Sequence, residues 1–335
     1  MAFLLYLHRV AEGGTLTRVE SFEAMSAILE GQATTAQIAG FLVAIKMRGE
    51  VAEEIVGLSQ AMRARMIPVE GLEGEALLDT CGTGGDGVGT FNISTIVALV
   101  LAGAGVKVAK HGNRSASGTF GSADLLEALG AKIDKSPQQT AADIRDKGIG
   151  FLFAPAHHPA MLHARAARTE LKMRTVFNLL GPLANPARTQ RQLIGAPSEM
   201  AARLMAEALI ALGTERTFVV HSVDGLDEIS TTGSTIVFEV RDRAIQKHLW
   251  EPSDFGVPKA RLSTLIPFGR EENVSIARAV LRGESGPCRD IVLVNAAAAL
   301  VLADRAKDFR GGMVLAGESI DSGAAAAKLA ALSEG

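Results

Sequence analysis

Up to Met66 the apolar positions of the chain recur at helical spacing. Phe3-Leu4-Leu5-Tyr6-Leu7, followed by His8, Arg9 and Glu12, reads as a helix packing inward. Thr17-x-x-Glu20 has the form of a capping box, and Phe22, Met25, Ile28 and Leu29 then follow at helical spacing. Thr34-x-x-Gln37 opens the next helix, with Ile38, Phe41, Leu42 and Ile45 on one face and Gly49 past its end. Ile55, Leu58 and Met62 predict a third helix from about Ala52 to Met66. Pro68 and Glu70-Gly71-Leu72-Glu73-Gly74 break the pattern and predict a hinge. These apolar stripes must be buried, against the next domain or against a second copy of the chain.

After residue 75 strand and helix patterns alternate. Leu77-Leu78 leads into a glycine loop, Ser94 to Ala104 reads as helix, Val106 to Ala109 as a short strand, and Ser122 to Leu129 as helix. Ile149 to Phe153, Gln192 to Ala196 and Thr217 to His221 are further strands, with a helix from Ser198 to Leu212. Thr235 to Val240 and the segment to Trp250 predict a more polar hairpin at a sheet edge. Asp290 to Ala303 is nearly all apolar and predicts a central helix, and an alanine-rich helix follows Ser322. Such alternation implies an α/β fold, a mainly parallel central sheet flanked by helices. A smaller all-helical lobe precedes it, dividing the chain into residues 1–70 and 75–335.

Composition narrows the function. With 335 residues, 47 % hydrophobic and 21 % charged, the chain can build a sizeable core, which excludes extensive disorder. A net charge of −3 and 4 % aromatic residues argue against a nucleic-acid partner, which needs basic surface or stacking platforms. Cys81 and Cys288 lie too far apart in sequence for a zinc-type ligand pair or a disulfide framework, so a reduced, cytoplasmic setting is expected. The longest apolar stretch, Ile96 to Val106, is eleven residues with two glycines, too short to span a bilayer. No membrane partner is expected.

Chemistry concentrates in three places. Asp79-Thr80-Cys81-Gly82-Thr83-Gly84-Gly85-Asp86-Gly87-Val88-Gly89-Thr90-Phe91-Asn92-Ile93-Ser94-Thr95 puts five glycines within eight residues between a strand and a helix. Backbone without Cβ atoms turns sharply, and free N–H groups at the helix entrance suit a phosphate or diphosphate. The spacing is neither GxGxxG nor a Walker loop. Lys110-His111-Gly112-Asn113-Arg114-Ser115-Ala116-Ser117-Gly118, continuing to Ser122 and Asp124, follows the next strand and adds two cations and several hydroxyls at the same sheet end. Asp224-Gly225-Leu226-Asp227-Glu228 is an acidic turn, and beside polyphosphate loops its hard oxygens suit Mg²⁺. His157, His158 and His163 lack the spacing of a zinc helix, Cys81 reads as a small buried residue, and Met161, Met173 and Met205 read as core. Trp250 has no evident role.

These clusters, together with Gly121-Ser122-Ala123-Asp124 and Phe177-Asn178-Leu179-Leu180-Gly181-Pro182-Leu183-Ala184-Asn185-Pro186, carry a resemblance over nearly the whole chain. In order and spacing they resemble the anthranilate phosphoribosyltransferase family of tryptophan biosynthesis. The resemblance implies the nucleoside phosphorylase-like fold, with a helical lobe completed by about residues 157–183 that forms a homodimer interface. It implies transfer of phosphoribosyl from 5-phospho-α-D-ribose 1-diphosphate to the amino group of anthranilate, with Mg²⁺ bound as two ions. Gly82, Gly85, Asp86, Thr90, Asn92, Ile93, Ser94 and Thr95 match donor-binding positions. Lys110, His111, Gly112, Asn113, Arg114, Ser115, Ala116, Ser117, Gly118 and Ser122 match the loop that closes over the donor. Ser94, Asp227 and Glu228 match magnesium ligands. Asn113 and Arg168 match anthranilate contacts, with Gly82 near both substrates and His111 and His158 along the anthranilate channel. Lys110, Asn113 and Arg168 are the expected catalytic residues. Gly118 stands where the family usually has a second serine, which removes one phosphate donor. Two rival readings are a pyrimidine nucleoside phosphorylase and a non-catalytic nucleic-acid-binding relative. The Lys110-His111-Gly112-Asn113-Arg114 pattern distinguishes the first, and the acidic balance with Asp227 and Glu228 opposes the second.

Overall fold

The computed structural model describes residues 2–84, 87–114 and 120–334. Four helices open the chain: α1 (Ala2–Ala11), α2 (Arg18–Leu29), α3 (Thr35–Arg48) and α4 (Ala52–Arg65). Both predicted capping boxes form. Thr17 Oγ1 accepts from Glu20 N–H at 3.3 Å and Glu20 Oε2 from Thr17 N–H at 2.9 Å, and Thr34 and Gln37 repeat the exchange at 3.3 and 2.9 Å. Gly49 ends α3 with φ +96°, outside the range comfortable for a side chain. The first helix does not pack wholly inward. Phe3 and Val10 are buried, but Leu5 is 69 % exposed, because a single helix turned onto a bundle hides only one stripe.

A seven-stranded sheet follows, in the order β3-β2-β1-β4-β5-β6-β7. The strands are β1 (Leu77–Gly82), β2 (Lys107–Gly112), β3 (Ile149–Phe153), β4 (Arg191–Gly195), β5 (Arg216–Ser222), β6 (Thr235–Arg241) and β7 (Ala244–Trp250). The first five are parallel, and the β6–β7 hairpin adds an antiparallel edge as its more polar faces predict. Strand alternation divides the core. Leu193, Phe218, Val220 and Val237 face one apolar cluster with α5 (Ile93–Gly103) and the helix Pro287–Leu302. Ile194, Val219, Phe238 and Val240 face another, continuous with α2–α4, with Ala164, Ala167 and residues 176–184, and with the helix Glu199–Leu212. Helix α5 is apolar all round and buried accordingly. Trp250 acquires a structural place, 4.8 Å from Phe309 and 5.1 Å from Phe218 between ring centroids. Met205 is core as expected, but Met173 is 41 % exposed, because it follows the end of the helix Leu162–Leu171. No helix among the described residues is long and apolar enough to cross a membrane.

The helical segment also buries a charge. Glu54 is fully buried and takes Arg48 Nη1 at 2.8 Å and the Leu16 N–H at 2.9 Å, so it ties the loop before α2 to the end of α3. Removing one partner of a buried pair leaves the other uncompensated, at a cost of roughly 3–5 kcal/mol. Glu54→Ala should therefore lower the urea midpoint strongly, whereas an exposed pair such as Arg203–Glu207 should cost under about 1 kcal/mol when broken.

Candidate active site

In an open parallel sheet, ligands bind beyond the carboxyl ends of the strands where the strand order reverses. Here the reversal lies between β1 and β4, since the chain steps from β1 to β2 and β3 on one side and returns to β4 on the other. The glycine loop leaves β1 at this edge, the cationic segment leaves β2, and the acidic turn leaves β5. All three predicted clusters therefore meet.

One expectation about the cationic segment needs correction. Lys110, His111 and Gly112 were expected in a loop but belong to β2, paired with Phe151, Leu152 and Phe153 of β3. The strand outlasts its apolar run because its neighbour continues to offer hydrogen bonds. Lys110 is consequently 3 % exposed, not a solvent-facing cation. Its ammonium donates to the Thr80 carbonyl, and lies 3.4 Å from Ser94 Oγ at the start of α5. Thr80 Oγ1 in turn donates to the Ser94 carbonyl at 2.9 Å. The positive charge thus sits behind the helix entrance that the glycine loop feeds, reinforcing the positive end of the helix dipole.

Beneath this lies Asp79, fully buried. Its Oδ1 accepts the His111 N–H at 3.1 Å and its Oδ2 accepts Asn185 Nδ2 at 2.8 Å. Burial pushes the Asp79 carboxyl above its ordinary value, against the pull of Lys110 and these hydrogen bonds, and the Cys81 thiol is pushed well up by the same burial. Asn185 also donates to the Ala109 carbonyl at 3.0 Å, so one amide joins β1, β2 and the residues that enter β4.

The acidic turn divides by role. Asp224 serves its own loop, accepting Ser230 Oγ at 2.9 Å and the Thr232 hydroxyl, and hydrogen bonds from Ser222, Thr232 and Ser230 outweigh its burial to lower its carboxyl. Asp227 comes against the sheet edge. A Cβ on Gly195 would stand 1.7 Å from the Asp227 carbonyl oxygen, and one on Gly82 would stand 2.7 Å from Asp227 Oδ2. Only glycine at the ends of β4 and β1 allows this approach. Glu228 follows, and Asn295 of the central helix holds the next residue, accepting the Ile229 N–H at 2.9 Å and donating to its carbonyl at 2.8 Å. Among the described residues no three His, Cys, Asp or Glu side chains cluster as a metal cage. Two carboxylates beside a phosphate-type loop instead fit Mg²⁺, which completes its shell with water and substrate oxygens.

The remaining expected residues fall around this centre. Asn92 precedes α5, donating to the Phe120 carbonyl at 3.0 Å, while its Oδ1 and the hydroxyl of Thr95 are buried without hydrogen-bond partners. Ile93 points into the core, so only its main chain faces the site. Thr90 lies on the loop just before α5. Ser122 opens α6 (Ser122–Ala128) and donates to the Asn113 carbonyl at 3.3 Å; a Cβ on Gly112 would strike its Oγ at 2.2 Å. Arg114 turns to α6, bonded to Asp124 at 2.9 Å and Glu127 at 2.8 Å, which raise its guanidinium above its ordinary value. Gly85, Asp86, Ser115, Ala116, Ser117 and Gly118 lie outside the described residues.

On the helical side, His111 and His158 stand 5.4 Å apart between ring centroids, both buried, with neither Nε2 partnered. Burial lowers both imidazoles, His111 well below its ordinary value and His158 to about 4, with the neighbouring histidines adding to the effect. His157 Nδ1 instead meets the Ile67 carbonyl at 2.9 Å, tying this segment to the chain after α4. Arg168 lies 5.4 Å from the Phe177 ring centroid, is lowered by burial, and has no carboxylate within 4.0 Å among the described residues.

Several residues escaped sequence reasoning. Arg174 donates to the Gly84 carbonyl and so reaches the glycine loop from the helical side; its signal was the run Arg174-Thr175-Val176 directly before the Phe177-Asn178 motif. Asn295, the lone amide in an apolar helical run, was legible as a residue with a specific task. Asn273, which accepts the Asn92 N–H at 3.3 Å, gave no local signal.

Comparison with known proteins agrees with this geometry. Residues 5–66 match the helical bundle domain of a glycosyl transferase family, and residues 74–326 match its a/b domain. An anthranilate phosphoribosyltransferase from Solibacter usitatus is 57 % identical over 335 residues, covering 100 % of this chain and 98 % of the relative. The crystal structure of anthranilate phosphoribosyltransferase from Thermus thermophilus superposes with a TM-score of 0.91 at 41 % identity, covering 98 % of each chain. The enzyme of that name from Saccharomyces cerevisiae, in complex with PRPP and Mg, gives 0.90 at 30 % identity, over 98 % of this chain and 96 % of that one.

The buried histidines make a pH prediction. Unfolded, His158 protonates near 6.5; folded, near about 4. Between those values the unfolded chain binds more protons, so stability falls as pH drops, by roughly 3 kcal/mol from this group alone. His158→Asn should flatten the decline in urea-unfolding free energy between pH 6.5 and 4. An unchanged slope would contradict the assignment.

Proposed function

The chain belongs to the anthranilate phosphoribosyltransferase family, and from that premise we propose how its residues perform the transfer. The reaction moves the phosphoribosyl group of 5-phospho-α-D-ribose 1-diphosphate to the amino group of anthranilate, giving N-(5-phosphoribosyl)anthranilate and diphosphate in tryptophan biosynthesis. The observation that carries the residue assignment is the meeting of the glycine loop, the Lys110-backed start of α5 and the Asp227–Glu228 pair at one sheet edge.

In this reading Gly82, Gly85, Asp86, Thr90, Asn92, Ile93, Ser94 and Thr95 hold the donor, largely through main-chain N–H groups and hydroxyls. Asn113 to Gly118, with Ser122, close over it, while Lys110, His111 and Gly112 stay fixed in β2 at its edge. Ser94, Asp227 and Glu228 hold Mg²⁺, as two ions. The metal, when bound, neutralises charge on the leaving diphosphate. Lys110 is a fixed charge behind Ser94 that adds to the positive field at the helix entrance. Its burial makes it a preset element of the site, which needs no rearrangement as the bond breaks.

Anthranilate's aromatic amine is already unprotonated at neutral pH, so orientation is the larger task. Arg168 would take the carboxylate as a bidentate partner, with Asn113 and Gly82 alongside. Its lack of a protein carboxylate supports that role. His111 and His158 would line the aromatic channel as neutral rings, which avoids a second fixed cation competing with Arg168.

The reading also covers assembly and setting. Residues 1–70 with 157–183 would form one lobe, since their apolar side chains share a cluster, and 75–335 would form the α/β domain. Leu5, Met47 and Leu162 are exposed on α1, α3 and the helix Leu162–Leu171, which pack together, and a second copy of the chain would cover them as a homodimer. Two free cysteines suit a cytoplasmic protein.

Anthranilate fluorescence should decay only when enzyme, donor and Mg²⁺ are all present; decay of a nucleoside with inorganic phosphate instead would overturn the reading. Arg168→Ala should raise KM for anthranilate roughly ten- to hundred-fold. An equal rise for the donor would remove Arg168 from the acceptor site.

A further inference from the structure

A cavity of about 360 Å³ lies at the opposite end of the sheet. It is bounded by the last turn of α4, by Arg188 and Thr189 ahead of β4, and by the turn joining the helix Glu199–Leu212 to β5. Both strands begin here and end at the catalytic edge, so roughly 15 Å of strand separates the two places. We propose that this cavity is a second ligand site, one that binds a small organic anion through Arg63, Arg188 and Thr189.

The cavity wall carries two cations and no carboxylate. Arg63 donates from Nε to the Leu183 carbonyl at 2.6 Å and from Nη1 to the Leu212 carbonyl at 3.3 Å. Those carbonyls fix its direction without neutralising its charge. Burial, with Arg188 nearby, pushes the Arg63 guanidinium down to about 10, the response of a cation short of counter-charge. Arg188 is exposed on the cavity wall and makes no side-chain hydrogen bond or ion pair among the described residues, so it is free to turn onto a ligand. The independent observation is Thr189. Thr189 borders the cavity, and its hydroxyl is buried with no hydrogen-bond partner. A buried hydroxyl left without a partner is costly, whereas an anion between the two arginines would accept from it. Leu209 and Leu212 supply an apolar wall for the body of the ligand, which selects an organic carboxylate or phosphate over a bare ion.

The test is calorimetric titration of the full chain with inorganic phosphate and with phenyl phosphate, in the wild type, Arg188→Asn and Thr189→Val. Asn tolerates the left-handed backbone of Arg188, at φ +51°, and Val matches Thr in shape, so both variants should fold. Phenyl phosphate should bind more tightly than phosphate, and each variant should weaken it at least tenfold. Turnover of anthranilate in phosphate-free buffer should stay unchanged. Equal binding in all three proteins would place it at the catalytic edge alone and overturn the proposal. Should a variant fail to fold, wild-type crystals soaked in tungstate decide: anomalous density beside Arg188 supports the site, and its absence there refutes it.

Discussion

A buried ammonium must lie on oxygens, and the carboxyl edge of the sheet around β1, β2 and α5 is arranged around that requirement. Lys110 reaches the Thr80 carbonyl of β1 and approaches Ser94 at the start of α5, and Thr80 bonds the Ser94 carbonyl. Three consecutive elements are thereby fixed to one another at the point where the glycine loop delivers the chain to α5. An unpaired charge out of water would be prohibitive. The nearby Asp79 carboxylate and these oxygens make it tolerable, and the result is positive potential directed at the sheet edge. A highly anionic substrate is the natural complement of that potential.

The same edge is completed by close approach. Asp227 presses its main chain on Gly195 and its carboxylate on Gly82, distances that any Cβ would forbid. Ser122 is set against Gly112 in the same way. Glycine at these strand ends therefore sets how near the acidic turn comes to β1 and β4 and how near Ser122 comes to β2. Asn185 and His157 extend the arrangement to the helical side, one through Asp79 and Ala109, the other through Ile67. The helices and the sheet share an apolar cluster, so the helical side of the site rests on the same core as the sheet edge.

Much of this was legible in the chain. The capping boxes at Thr17 and Thr34 and the alternation after residue 75 depend on local periodicity, which sequence states directly. Motif resemblance reached the family because long runs such as Lys110-His111-Gly112-Asn113-Arg114 occur in order. What local pattern missed was set by neighbours. The extension of β2 through Gly112 depends on pairing with β3, and hydrophobicity could not announce a strand made of lysine and histidine. The pairing of Arg114 with Asp124 and Glu127 likewise depends on how α6 folds back beside it. The acidic turn alone did not say what Asp224 does; its loop hydroxyls, brought around it by the fold, give it a structural task.

The most direct measurement is diffraction at the manganese edge from crystals grown with the sugar diphosphate and Mn²⁺ in place of Mg²⁺. The geometry predicts anomalous density beside Asp227 or Glu228 and a diphosphate at the β1 loop, with Lys110 unmoved behind Ser94. Metal and diphosphate bound away from the carboxyl ends of β1 and β5 would contradict it.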